Sequence, residues 1–247
     1  MLFYNNYTVC SDNEEEGFVD LYCNENLVAE IAERNRPMLL KYIEGLVSFS
    51  GRVRLTGPQD PETLWSEHIV DCLYSVPLLP PEGNIIDVGT GGGLPGVVWA
   101  ICRPDLTITL LDSVRKKCKA LEELTALLKL ENVRIVCSRA EEYALERREH
   151  FSLAGARAVT GTGVLLEYLS PFVSLGGKVL AFKGPLYKEE IEPLNGKEKR
   201  LGLSAPSVFP YSLNGKEHFL LIWQKKQPCS KEFPRKTGMA ERKFWWR

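Results

Sequence analysis

The spacing of apolar residues changes character along the chain. Between about Asn24 and Leu46, Leu27, Ile31, Met38, Tyr42 and Leu46 recur at helical spacing, which predicts an amphipathic helix. Pro37 is expected to break or kink it, because proline lacks an N–H and its ring crowds the preceding turn. Gly51 to Pro61 reads as a loop carrying Arg52 and Arg54. Pro61 to Leu73 reads as a second helix with Leu64, Trp65, His68, Ile69 and Cys72 on one face, ended by Pro77, Pro80 and Pro81. From Asn84 short apolar runs take over. Strands are predicted at Asn84–Val88, Thr107–Leu111, Val133–Cys137, Phe151–Ala158, Lys178–Phe182 and His218–Gln224. Helices fit between them at Pro95–Ile101, Val114–Leu130, about Glu141–Arg147 and Gly163–Val173. Such alternation implies an α/β fold with a parallel sheet covered on both faces. A short strand near Ser207–Tyr211 precedes Asn214-Gly215, a dipeptide suited to a tight hairpin turn.

The chain has 247 residues, 44% hydrophobic and 26% charged, within the range of an ordinary globular protein. No apolar run approaches the ~20 residues of a membrane helix, and no signal peptide is visible. Seven cysteines are scattered without a Cys-x-x-Cys pair, and only three histidines are present. Neither a disulfide framework nor a metal site is expected, and a cytoplasmic protein with reduced thiols is. Net charge is −1 but unevenly spread: residues 1–33 hold eight acids and no Lys or Arg, residues 225–247 eight Lys or Arg and two acids. Three segments follow: 1–78, an acidic, poorly ordered end and then a helical extension; 79–225, the α/β domain; and 226–247, a basic tail. The tail's aromatics either join its basic residues in meeting nucleic acid or pack on the body.

The chemistry concentrates in residues 85–96. An apolar run ends in Asp87 and breaks into Gly89, Gly91, Gly93 and Gly96, and Asp112 closes the next run 23 residues beyond Gly89. A strand, a glycine loop, a helix and a second strand ending in an acid suit an adenosine cofactor, the acid facing the ribose about 20 residues on. Gly91-x-Gly93-x-x-Gly96 also matches the dinucleotide fingerprint, so an NAD-dependent oxidoreductase is the alternative. Asp87 favours S-adenosylmethionine, whose methionine end is cationic, because a carboxylate there would repel a pyrophosphate. On this reading Asp87, Gly89, Gly91 and Gly93 hold the methionine end and Asp112 the ribose. Ser138-Arg139-Ala140-Glu141, after the third strand, borders the adenine. A parallel sheet ending in an antiparallel hairpin is the shape of class I methyltransferases, Rossmann-like proteins, here with an N-terminal helical extension.

The acceptor is narrowed by what is missing. Asn/Asp-Pro-Pro-Tyr/Phe, which clamps exocyclic amines, is absent after the fourth strand, where Ala156-Arg157-Ala158 stands. Cys229, beyond the last strand, does not suit a pyrimidine C5 nucleophile. A ring nitrogen with a free lone pair, such as guanine N7, needs neither device and no general base. No catalytic side chain is therefore expected, only positioning. Arg157 either orients cofactor or phosphate or forms a buried structural pair. Lys116, Arg139, Arg157, Lys183, Arg235 and Lys236 fall at strand ends or beyond and are the candidate RNA-facing rim. His68 reads as a half-buried polar residue packed on the body.

Several segments together resemble one family. They are Leu64-Trp65-x-x-His68-Ile69-x-Asp71, Asp87-Val-Gly-Thr-Gly-Gly-Gly-Leu-Pro-Gly96, Leu110-Leu-Asp-Ser113 with Lys116-Lys117, Ser138-Arg-Ala-Glu-Glu142, Arg157-Ala158, Leu175-Gly-Gly177, Ala181-Phe-Lys-Gly184 and Phe233-Pro-Arg-Lys-Thr-Gly238. In order and spanning 64–238, they resemble the bacterial 16S rRNA (guanine-N7-)methyltransferases, also called glucose-inhibited division protein B. The resemblance implies S-adenosylmethionine-dependent methylation of N7 of one guanosine in 16S rRNA, on the free RNA or the small subunit; a monomer is expected. It places cofactor contacts on Gly89, Leu94, Ala140, Glu141 and Arg157, with Asp112 and Ser113 at the ribose. Two stretches depart from the family pattern: Ser50-Gly-Arg-Val-Arg-Leu-Thr56, where an Asn-rich run is usual, and the ending Ala240-Glu-Arg-Lys-Phe-Trp-Trp.

Overall fold

A computed structural model describes residues 24–57 and 59–247. The acidic first twenty residues lie outside the described residues. Seven strands form one sheet: β1 Asn84–Val88, β2 Thr107–Asp112, β3 Val133–Cys137, β4 Phe151–Arg157, β5 Val173–Lys183, β6 Ser207–Leu213 and β7 Lys216–Gln224, in the order β3-β2-β1-β4-β5-β7-β6. The first five run parallel, β7 lies antiparallel to β5, and β6 antiparallel to β7. Asn214 and Gly215 both take positive φ (51° and 73°), the turn that the dipeptide predicts. Strand order reverses between β1 and β4, and ligands of open α/β sheets bind outside the carboxyl ends at such a reversal.

Side chains alternate across the strands, so Ile85 and Ile86 enter different cores. One core lies beneath α1 (Glu25–Phe49), the helical segment α2, the wholly buried α3 (Gly96–Cys102) and α4 (Arg115–Leu127). Segment α2 joins α-helical Pro61–Thr63, π-helical Leu64–Ile69 and α-helical Val70–Leu73. Asp60 caps it by accepting the Thr63 N–H at 2.8 Å, with Pro61 in the first turn. The second core lies beneath α5 (Ala140–Glu146) and α6 (Thr162–Leu169). Two further short helices are α7 (Tyr187–Ile191) and α8 (Met239–Arg242).

One expectation changes. Helix α1 runs unbroken through Pro37. Buried residues on both sides of it, Val28 and Ile31 before and Leu39, Tyr42 and Ile43 after, dock on the same core. Their packing outweighs the roughly 3 kcal/mol that an interior proline costs. Of the two readings of the segment after β7, part of its aromatics take the second and pack on the body. Cys229, Phe233 and Trp245 are buried in the second core, and Arg148 donates to the carbonyls of Phe233 and Cys229. The fully buried Lys225 donates to the Ser170 carbonyl at 2.8 Å and to its hydroxyl at 2.9 Å.

Trp245 is 3% exposed, and its indole N–H donates to the Gly163 carbonyl at 2.7 Å. Trp245→Ala is expected to cost about 3–5 kcal/mol of folding stability, read by urea denaturation. A loss below about 0.5 kcal/mol, the scale of a surface change, would mean the segment is not part of the core.

Candidate active site

The glycine loop leaves β1 through Gly89 (φ 72°), Gly91 (φ 59°) and Gly93 (φ 101°) and enters α3 at Gly96. Asp87 holds this path. Its Oδ2 accepts from the Thr90 hydroxyl at 2.6 Å and from the Gly96 N–H at 2.9 Å. A Cβ at Gly96 would stand 2.8 Å from that oxygen, so only glycine lets the backbone approach this closely. Asp87 is fully buried, and its Oδ1 has no hydrogen-bond partner. Burial pushes its carboxyl up to about 6, against the opposing pull of the Thr90 and Gly96 bonds and of Arg157. A buried acceptor without a donor is costly, and a ligand ammonium would satisfy it.

The N-terminal extension supports the loop from outside. The Tyr42 hydroxyl of α1 donates to the Gly92 carbonyl at 2.9 Å. The Leu55 carbonyl would meet a Cβ on Gly92 at 2.9 Å. Arg52 reaches Glu123 of α4 at 3.0 Å. At the end of β2, Asp112 accepts the Gly91 N–H at 3.0 Å through Oδ2 and the Val114 N–H at 2.8 Å through Oδ1. Each oxygen keeps a second lone pair. These bonds orient the carboxylate and leave it acceptor capacity for ribose hydroxyls. Ser113 beside it is exposed. Leu94 turns its side chain into the core, so it offers the site only its backbone.

Beyond β3, Ser138 donates its N–H to the Asp112 carbonyl at 3.2 Å, which sets the β3 end beside β2. Arg139 is exposed and Ala140 half-buried at the start of α5. Glu141 is buried and accepts the Gly238 N–H at 3.0 Å, so its carboxylate is engaged by the C-terminal segment.

Arg157, at the end of β4, turns toward α2. It donates to Asp71 Oδ2 at 2.9 Å and to His68 Nδ1 at 2.7 Å. The Tyr211 hydroxyl of β6 donates to the other Asp71 oxygen, and His218 of β7 stands 3.8 Å from it. Guanidinium only donates, so His68 Nδ1 accepts and its proton sits on Nε2. Burial and Arg157 lower the His68 pKa, favouring that neutral form. His68 Nε2 is buried without a partner. Of the two readings of Arg157, the geometry is that of the structural pair. It ties α2, whose middle is π-helical, to the sheet, and such π segments cluster at functional sites.

Two more rim candidates have internal partners. Lys183 Nζ binds Glu190 Oε2 at 2.7 Å and the Thr160 carbonyl at 3.1 Å, with its side chain 8% exposed. Arg235 forms a two-pronged pair with the fully buried Glu167. Arg157, Lys183 and Arg235 are thus each engaged by a carboxylate of the chain itself, and detaching any of them would strand a buried or half-buried acid. Lys116, Arg139 and Lys236 remain exposed. Asp71, Tyr211 and His218 are missing from the sequence-derived site. His68 and Asp71 stand three apart on one helix, the spacing of a shared face, and that was the available signal. Nothing local pairs them with β6 or β7. Among the described residues no cluster of His, Cys, Asp or Glu could hold a metal ion, and no helix is long and apolar enough to cross a membrane.

A parallel sheet with a glycine loop after its first strand, a buried acid beneath that loop, an acid closing the second strand and a terminal antiparallel hairpin defines a class I S-adenosylmethionine-dependent methyltransferase. Solved structures share this fold. The AdoMet complex of M. jannaschii TYW2 matches with a TM-score of 0.51 at 16% identity, over 66% of this chain and 78% of that one. The YcgJ protein of Bacillus matches with a TM-score of 0.51 at 11% identity, over 65% and 100%. The family model for GidB, rRNA small subunit methyltransferase G, matches residues 35–219. Relatives named ribosomal RNA small subunit methyltransferase G are similar over most of the chain. The protein of Pseudothermotoga lettingae is 36% identical over 84% of this chain and 91% of its own length. That of Oenococcus oeni is 35% identical over 91% and 95%, and that of Clostridium novyi 31% over 94% and 98%. The chain belongs to the rRNA small subunit methyltransferase G family.

Arg157→Ala leaves Asp71, whose side chain is 7% exposed, without its cation. It is expected to lower stability by about 3–5 kcal/mol, and adding Asp71→Asn should recover part of that. Denaturant titration of both variants checks it; a double mutant no more stable than the single would show that no charge was stranded.

Proposed function

We propose that this enzyme methylates N7 of one guanosine of 16S rRNA, with S-adenosylmethionine held at the carboxyl ends of β1, β2 and β3. The observation that carries the reading is Asp87: a buried carboxylate with one oxygen fixed by the loop and the other without a donor. That arrangement suits a cationic methionine end and opposes the pyrophosphate of the NAD alternative. S-adenosylmethionine supplies an electrophilic methyl on its sulfonium. Asp87 faces the ammonium, Gly89, Gly91, Gly93 and the Leu94 backbone shape the channel, Asp112 and Ser113 meet the ribose, and Ala140 and Glu141 border the adenine.

Guanine N7 is unprotonated near neutral pH, so the protein has no proton to remove and only aligns the lone pair with the methyl. The product base is cationic. Arg157, held by Asp71 and His68, presents no free cation to it. His68 Nε2–H, without a partner, is a donor available to the acceptor edge of a base. Lys116, Arg139 and Lys236 meet phosphates. The enzyme works in the cytoplasm as a monomer, in keeping with free buried thiols at Cys72, Cys102, Cys118 and Cys229.

Mapping the modified nucleotide after incubation with small subunits lacking the mark tests the reaction; methylation at another atom or on no RNA would refute it. The single-turnover rate should stay flat between about pH 6.5 and 8.5, without the rise that a general base imposes.

Cofactor affinity should carry the Asp87 titration. Its carboxyl, raised to about 6, must be ionised to pair with an ammonium, so protons compete with the ligand below that value. Calorimetry with S-adenosylhomocysteine should show constant affinity above about pH 7 and a fall approaching about tenfold per pH unit below 6. Asp87→Asn should flatten the profile at the weaker value. A wild-type profile flat to pH 5 would remove Asp87 from the ammonium.

A further inference from the structure

The segment after β7 divides its aromatic rings between two roles. Phe233 and Trp245 are buried in the core, whereas Phe244 and Trp246 are only half-buried. These two rings stack on each other with centroids 4.7 Å apart and planes at 20°. They form one wall of a cleft of about 750 Å³, a volume within the range of small-molecule pockets. The turn Thr160–Gly163 and helix α7 form the other walls. Gly163 makes the arrangement possible: a Cβ there would stand 2.5 Å from the Trp246 ring. Thr160 lies three residues past Arg157, the last residue of β4. The cleft therefore opens at the carboxyl edge of the sheet, the edge that carries the glycine loop and Asp112.

The cleft's chemistry selects its occupant. Glu189, Glu190 and Glu241 line it, which disfavours a phosphate inside. Glu190 is engaged by Lys183 and Thr162, and Glu241 by the Tyr168 hydroxyl. Glu189 is exposed and able to accept from N–H donors. Lys197 donates only to the Pro193 and Trp246 carbonyls, and the Arg247 guanidinium lies 4.7 Å over the Phe244 ring. Among the described residues neither cation has a carboxylate partner. A flat, uncharged group with N–H donors, attached to an anionic backbone, meets these conditions.

We infer that this cleft receives an unstacked nucleobase of the rRNA flanking the methylated guanosine. The base inserts between the Phe244 ring, which Trp246 backs from behind, and the Arg247 guanidinium that now covers that ring; its N–H edge meets Glu189, and Lys197 meets the adjoining phosphate. The inference rests on the rRNA methyltransferase reading and adds a subsite to it, on a stretch where this chain departs from the family's usual ending.

Full-length Phe244→Ala, Phe244→Leu and Phe244→Tyr would be compared with wild type in steady-state methylation of small subunits lacking the mark. Melting temperature and S-adenosylhomocysteine affinity would be measured on the same preparations. Loss of stacking is expected to raise KM for the subunit roughly 5- to 150-fold in the Ala and Leu variants, more than it changes kcat, and Phe244→Tyr should restore most of it. An unchanged KM in Phe244→Ala would overturn the inference. So would a KM that Leu restores as well as Tyr, because the ring would then act by packing. If the Ala variant does not fold, the Leu and Tyr variants, which keep bulk, decide the matter alone. Wild type that leaves the subunits unmethylated would instead refute the underlying reaction, so the two failures are distinguishable.

Discussion

The site depends on one buried carboxylate. Asp87 Oδ2 draws together the Thr90 hydroxyl at the start of the glycine loop and the Gly96 N–H at its end. The loop is thereby closed before any ligand arrives. Its glycines adopt positive φ without strain, and no other residue type would let the Gly96 backbone approach so near. The same burial that stiffens the loop leaves Oδ1 unsatisfied. Rigidity and the unsatisfied acceptor thus have a common origin. Asp112 repeats the device on a smaller scale, holding Gly91 and Val114 with its two oxygens.

Around this centre the sheet acts as a rigid base and the flanking segments as walls. Helix α1 reaches over the first core to place Tyr42 on the Gly92 carbonyl. The pair of Arg157 with Asp71 fixes α2 against the end of β4, while Tyr211 secures Asp71 from the hairpin. The C-terminal segment closes the other side, with Gly238 on Glu141 and Arg235 on Glu167. The N-terminal extension, the methyltransferase sheet and the last twenty or so residues therefore form one body around the cofactor edge. Several of the chain's conspicuous charges are engaged within that assembly.

Much of this was legible in the residues. Short apolar runs marked the strands, Asn214-Gly215 marked the hairpin, and the glycine loop with Asp112 marked the candidate cofactor edge, because each depends on a local backbone requirement. Short-range rules failed where distant partners decide. Pro37 reads locally as a breaker, but the core on both sides of it holds α1 continuous. Arg157, Lys183 and Arg235 read as a basic rim, yet Asp71, Glu190 and Glu167 take up their charges, from residues up to 86 positions away.

The sequence by itself determined the fold class, the parallel sheet with its closing hairpin, the glycine loop and, through resemblance, the family. Only the tertiary structure decided which cations face solvent, which aromatics of the last segment are core and which line a cleft, and that Asp87 keeps one oxygen free. The physical reason is range. Backbone conformation and glycine placement are set by neighbours in sequence. The partner of a charge, and the burial of a ring, are set by whatever the fold brings within a few ångströms.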